Sequence, residues 1–308
     1  MARSLRDIRR KIKAVKSTHQ VTKAMELVAA SKMRRAVQNA QLLRQYALGA
    51  WEVLQRIGAQ TVEEHPFLRQ RTLSRVLAVV LTSDRGLCGS LNANLCRAAD
   101  RYVRRLQEGG VEKIDFVAVG RKGQQFLART QRNVVMAFPA YSNHPAFRDV
   151  LPLTRFVIEQ FTTGAYDHVV MIYPDFISPL VQEVEVKVLL PLSRGSLREL
   201  TTTYLHGSRK NVRENGNDLA VSTSGILFEP SPKEILDAIL PQLTEVQVYQ
   251  AVLEAAASEH SARMVAMRNA SENATEILGD LTLTYNQTRQ AGITAELAEL
   301  SAAAAAMG

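Results

Sequence analysis

At 308 residues the chain is long enough for one or two domains with a real core. Hydrophobic residues make up 46% and aromatics 6%, the balance of a soluble, helix-rich protein, and apolar runs such as Val76–Leu81 fall far short of the roughly 20 residues a bilayer span requires. The net charge of +8 calls for an acidic partner, and the start, MARSLRDIRR, has no apolar stretch behind its charges, which excludes a secretory signal and leaves no room for a cleavable transit peptide.

Residues Ser4 to Ile57 read as one long helix, with Ser4 as a cap and Asp7 three residues on. Its seam steps by three and four through Leu5, Ile8, Ile12, Val15, His19, Thr22, Glu26, Ala29, Met33, Ala36, Ala40 and Leu43, then on to Ile57. The start of the seam is aliphatic, the middle polar and the later part alanine-rich. This segment, 1–60, is expected to be one half of a coiled coil.

The region 73–192 has a different pattern. Arg75–Thr82 is a continuous apolar, β-branched run of the kind found in buried parallel strands. Leu91–Gln107 reads as a helix, Ile114–Val119 as a strand, Gln124–Arg129 as a helix and Asn133–Phe138 as a strand. Leu153–Thr162 is the next helix, and His168–Tyr173 and Val181–Leu190 are the last two strands. Such alternation predicts a Rossmann-like α/β domain with a parallel sheet, inserted between two long terminal helices. Segment 193–225 is polar, rich in Gly, Asn, Arg and Thr, and without periodicity, which reads as a variable loop.

The C-terminal segment, 226–308, opens on FEPSPKEIL. Ser231, Pro232 and Glu234 supply a cap, a first-turn proline and an acid at the positive end of the helix dipole, while Pro241 is expected to kink the helix near its base. The seam then runs Leu236, Ile239, Leu243, Val246, Gln250, Leu253, Ala257, His260, Met264, Met267, Ser271, Ala274, Leu278, Leu281, Tyr285 and Thr288. The two helices would be about 80 and 100 Å long at the helical rise of about 1.5 Å per residue. Residues 1–44 hold twelve Lys/Arg against the two acids Asp7 and Glu26, whereas residues 231–308 hold four Lys/Arg against ten acids. Opposite charge and opposite chain ends predict an antiparallel coiled coil within one molecule, with basic charge left over for an acidic partner.

Signs of chemistry are weak. Ser83–Leu95 (SDRGLCGSLNANL) follows a strand and leads into a helix, where a phosphate-binding turn would sit. It lacks the P-loop ending and the GxGxxG spacing, so the turn reads better as structural, or as a contact surface using Asp84 and Arg85. Val119–Gly123 is a second such turn. The six histidines show no metal-ligand spacing, Cys88 and Cys96 form no CxxC pair, and no nucleophile, base and acid come together locally. No catalytic, cofactor or metal site is expected. The basic run Arg3–Lys16 keeps open a nucleic-acid-binding coiled coil, against which stands its lack of any aromatic residue for stacking.

Five blocks carry a resemblance: Arg6–Ala36 (RDIRRKIKAVKSTHQVTKAMELVAASKMRRA), SDRGLCGSLNANL, Val181–Leu192 (VQEVEVKVLLPL), FEPSPKEIL, and Ser258–Leu300, which begins SEHSARMVAMRNA and includes RQAGITAELAEL. Together they resemble the gamma subunit of F-type ATP synthases, in the family's order and from end to end. The resemblance implies a rotor shaft, one copy per complex. Its coiled coil would enter the ring of three alpha and three beta subunits, and its foot would lie beside the epsilon subunit and the c-ring. Catalysis and cofactors would belong to the partners, with no nucleic acid involved, and the chain would be peripheral to the membrane through Fo, on the cytoplasmic face of the bacterial inner membrane. It also implies contacts to the beta subunit from Met25 in the KAM motif, Arg263 in SEHSARM, and Arg289, Gln290 and Thr294 in RQAGIT. Lys11, Arg34 and Arg35 are further candidates for pairing with an acidic loop of beta, and Asp84 and Arg85 remain candidates for a separate contact. The ending ELSAAAAAMG departs from the family's common E-I-V-G-G-A.

Overall fold

The computed structural model describes residues 2–56, 65–141, 143, 145–192 and 231–307. The polar segment 193–225 lies outside the described residues. By internal contacts the chain forms two units, Ser31–Ala262 and Met1–Ala30 with Arg263–Gly308. Two long helices, α1 (Ala2–Arg56) and α5 (Pro232–Met307), contribute to both.

The larger unit is built on five strands, β1 (Arg75–Leu81), β2 (Lys113–Val119), β3 (Val134–Phe138), β4 (His168–Phe176) and β5 (Gln182–Leu190), in the order β3-β2-β1-β4-β5. The first four are parallel, as the apolar runs and intervening helices predict. The parallel sheet carries one antiparallel edge strand that the sequence reading did not specify, β5 against β4. The reason is chain length: residues 177–181 form a tight turn, and a parallel return needs a crossover of a dozen residues or more.

Alternate residues of β1 serve the two faces. Leu77, Val79 and Leu81 pack with Leu153, Val157 and Phe161 of α4 (Phe147–Thr162) and with Leu236, Leu240 and Leu243 of α5. Val76, Ala78 and Val80 pack with Leu91, Leu95 and Val103 of α2 (Leu91–Glu108) and Leu127 of α3 (Arg121–Arg129). This gives a three-layer α/β domain whose central strands are buried on both sides. Helix α4 starts six residues before the apolar periodicity suggests, because Asp149 accepts a hydrogen bond from Ala146 N–H and supplies an acid to the first turn.

At the base of α5 the expected cap is present. The Ser231 hydroxyl donates to the Glu234 carboxylate at 3.0 Å and accepts from the Glu234 backbone N–H at 3.3 Å. The helix runs on through Pro241. One expectation shifts: α1 begins at Ala2, so Ser4 lies inside the helix and is not its cap. In this unit the alanine-rich part of the seam closes tightly, with Ala36 packed against Ala256 and Ala257 and flanked by Val37 and Phe176.

In the smaller unit the two helix segments are antiparallel. The Arg9 guanidinium donates to the Tyr285 hydroxyl at 2.8 Å and lies over the ring 5.6 Å from its centroid. Leu5, Ile8, Ile12, Val15, His19, Thr22, Glu26 and Ala29 are the covered positions of α1, and almost every residue between them is exposed. On α5, Met267, Ser271 and Ala274 are buried, and Leu278, Leu281, Tyr285 and Thr288 half-buried. In this unit the heptad reading therefore holds residue by residue, while the side chains of the seam from Ala47 to Ile57 lie outside the described residues.

Candidate partner interface

Strand order reverses between β1 and β4, and in open α/β sheets a ligand site lies outside the strand ends at such a point. Here that place is filled by the chain itself. The first three N–H groups of α3 all have internal acceptors: Arg121 donates to Asp84 Oδ1 at 2.9 Å, Lys122 to Ser83 O at 3.1 Å and Gly123 to Thr82 Oγ1 at 2.7 Å. At this second turn, Val119–Gly123, the donors that would cradle a phosphate are already satisfied. Gly120, at φ +90°, is pressed so close to β1 that a Cβ there would sit 2.2 Å from Thr82 O.

The crevice beside it is closed as well. Val252, Ala255, Ala256 and Glu259 of α5 lie across the ends of β1 and β4, leaving a cavity of about 20 Å³. That is room for one water and no nucleotide. Asn92 braces the turn, accepting from Ser83 N–H and donating to Ser83 Oγ. Asp84 is thereby an architectural residue whose carboxylate also accepts from Ala140 N–H at 3.3 Å, while Arg85 remains exposed. Among the described residues no group of three or more His, Cys, Asp or Glu gathers to hold a metal. No helix among them is long and apolar enough to cross a membrane.

The exposed surface of the paired helices is different in character. Lys11, Lys13 and Lys16 are exposed and make no ion pair with any described residue, while Arg10 reaches Asp7 only at 3.9 Å and Lys23 holds Glu26 at 3.0 Å, both within α1. Large apolar side chains are also exposed there: Val21, Leu27 and Val28 on α1, and Ile277, Leu283, Ile293, Leu297 and Leu300 on α5, all at 48% or more of their full accessibility. Basic groups along α1, with apolar groups exposed on both helices, make a surface suited to enclosure by another protein.

Met25 is half-buried on the shoulder of the α1 seam beside Val21 and Val28. Arg289, Gln290 and Thr294 are exposed on α5, with the Thr294 hydroxyl donating to Gln290 O. Because Tyr285 meets Arg9, Met25 and Arg289 stand about 30 Å apart along the helix axes at a rise of about 1.5 Å per residue. The structure thus separates these residues into two levels. Arg263 is half-buried and engaged within the chain. Arg34 and Arg35 are exposed but belong to the larger unit. The Arg9–Tyr285 pair was not singled out by its sequence, since a tyrosine on a seam signals packing before it signals a cation partner.

The ATP synthase family model matches residues 4–307. The chain belongs to the ATP synthase gamma family. It is 41% identical to the ATP synthase gamma chain of Roseiflexus castenholzii over 99% of this chain and 98% of that one. Identity to the gamma chain of Opitutus terrae is 45%, over 97% of each. Among solved structures, it resembles a chain of the Tetrahymena thermophila mitochondrial ATP synthase central stalk and c-ring at a TM-score of 0.54 and 27% identity, covering 82% of this chain and 99% of that one. A chain of the Euglena gracilis mitochondrial ATP synthase, in a structure with OSCP, F1 and c-ring, shares the fold at a TM-score of 0.63 and 22% identity, covering 100% of this chain and 95% of that one. Family membership makes this gamma chain a subunit of ATP synthase, and the basic helix surface is read below in that light.

Proposed function

We propose that this gamma chain is the central rotor shaft of a proton-translocating F1Fo ATP synthase, carrying no active site of its own. Rotation of the c-ring enters at the sheet domain, and the paired helices, enclosed by three alpha and three beta subunits, drive each beta subunit through its binding states in turn. The epsilon subunit and the c-ring are the partners of the foot. The location that follows is the cytoplasmic face of the bacterial inner membrane, peripheral and through Fo. The domain division is a coiled-coil helix over 1–60, a foot over 73–192, a variable loop over 193–225 and a second coiled-coil helix over 226–308.

One observation carries this reading. The surface of the paired helices is basic and apolar together, with Lys11, Lys13 and Lys16 unpaired among the described residues and eight large apolar side chains exposed, while the crevice where the sheet would hold a small molecule is filled by α5. A nucleic-acid ligand would account for the charge but not for the exposed Leu283, Leu297 and Leu300. Met25, Arg263, Arg289, Gln290 and Thr294 are assigned as contacts to beta, at two levels of the shaft, with Lys11, Arg34, Arg35 and Arg85 as charged contacts.

The test is co-assembly. Mixed with cognate alpha and beta subunits, the chain is expected to form a stable complex and to raise their ATPase activity, and failure to do either removes the reading. Met25→Lys places a charge on the shoulder of the seam at a half-exposed position. Assembly should survive it, and ATP synthesis per proton moved should fall. Unchanged synthesis would reduce Met25 to packing.

A further inference from the structure

The β4–β5 hairpin holds one turn of α5 at successive points. Ser258, fully buried, donates its hydroxyl to Pro174 O at 3.0 Å. Phe176, at the end of β4, packs on the Ala36, Ala256 and Ala257 cluster where the two long helices meet. Ser261, also fully buried, donates to Pro179 O in the turn, and Gln182 at the start of β5 reaches Ser261 Oγ at 3.4 Å while also donating to Ser178 O and Pro179 O.

These are contacts of unusual type for a helix packed on a sheet. Packing alone resists separation but resists sliding weakly, because apolar contact has no direction. A buried hydroxyl bonded to a carbonyl does have direction, and shifting α5 along or about its axis leaves that buried hydroxyl unpaired. The small alanine layer brings the helices close, and the two serines fix their register on the hairpin. The hairpin is itself pinned, since β4 lies in the sheet between β1 and β5.

Resting on the rotor reading above, we propose that the β4–β5 hairpin is the torsional joint, within the larger unit, between the sheet and the segments of α1 and α5 packed on it, with Ser258 and Ser261 as its positioning residues. Torque entering the sheet domain reaches α5 through these two hydroxyls and reaches α1 through Phe176 and Ala36.

The experiment uses the complex with alpha and beta subunits, immobilised by the ring, with a bead attached through Gln125→Cys on the exposed side of α3. The angular variance of the bead in a catalytic dwell reads the stiffness of everything between the bead and the ring. Ser258→Ala with Ser261→Ala is expected to raise that variance about twofold. It should also speed hydrogen exchange in residues 174–182 about fivefold for each hydroxyl lost. Thr275→Ala, which removes an α5 hydroxyl bonded only to its own helix at Ser271 O, should change neither. Unchanged variance in the double variant overturns the proposal even where exchange accelerates, since the serines would then serve stability alone. If the double variant does not assemble, the two single variants carry the same test. A wild-type complex that never forms would count against the rotor reading and not against the joint.

Discussion

The sheet domain and the paired helices of the smaller unit are stabilised in opposite ways. In the sheet domain Leu77, Val117, Leu153, Phe161 and Leu190 have no exposed surface, and both faces of the three central strands β1, β2 and β4 are covered. In the helix pair the buried positions form a single file, with Thr22, Ala29, Met267, Ser271 and Ala274 the most enclosed. A two-faced core supports itself, whereas a one-residue seam leaves most of each helix to solvent or to a partner. The foot is built to be rigid alone and the shaft to be completed by what surrounds it.

The contrast is most easily broken at Gly120. Its backbone is in a region only glycine adopts without strain, and Thr82 O occupies the place of a Cβ, so Gly120→Ala should cost about 3 kcal/mol or more and be seen as lower thermal stability of the sheet domain. A near-neutral result would mean that β1 and α3 are less tightly joined than described.

Asp115 sharpens the comparison from the polar side. Burial by itself raises the pKa of this carboxyl. Hydrogen bonds from Tyr166 at 2.7 Å and Asn133 at 2.7 Å, with Lys113 at 3.0 Å, outweigh burial and hold it below its ordinary value of 3.8. Its contribution is therefore complete above pH 3.8 and is lost as pH falls below that value through the folded pKa. Asp115→Ala should cost about 2–3 kcal/mol near neutral pH and flatten the acid limb of the stability curve. An unchanged acid limb would assign the acid sensitivity to other carboxylates.

Smaller effects are expected in the helix pair. Ala29→Leu forces a large side chain into the narrow seam and should lower stability by about 1–3 kcal/mol, with the loss confined to exchange rates in residues 2–30 and 263–307. Lys11→Ala should change stability by less than about 0.5 kcal/mol, yet slow association with alpha and beta subunits at low salt. Equal association rates at low and high salt would remove the electrostatic part of the account.

Much of this was legible from local pattern. The two seams are covered at the residues where threes and fours place them, and the strand runs locate β1 to β4 within a few residues, because burial on both faces demands continuous apolar sequence. What escaped was non-local. The direction of β5 depends on the length of one turn, and the choice between a structural turn and a contact surface at Asp84 depends on its acceptor role toward Arg121 and Ala140. The closing of the crevice by Val252–Glu259 joins segments more than 150 residues apart. Resemblance grouped Met25 with Arg289, and only the antiparallel pairing at Arg9 and Tyr285 puts them at different heights.

The central claim is that a self-supporting foot turns a shaft completed by its partners. Its most direct test is ATP-driven rotation of a probe fixed to the sheet domain, with the chain assembled into an immobilised ring of cognate alpha and beta subunits. The account predicts continuous rotation in one direction, stopping when ATP is withdrawn. A complex that hydrolyses ATP while the probe stays still, or turns without preferred direction, would contradict it.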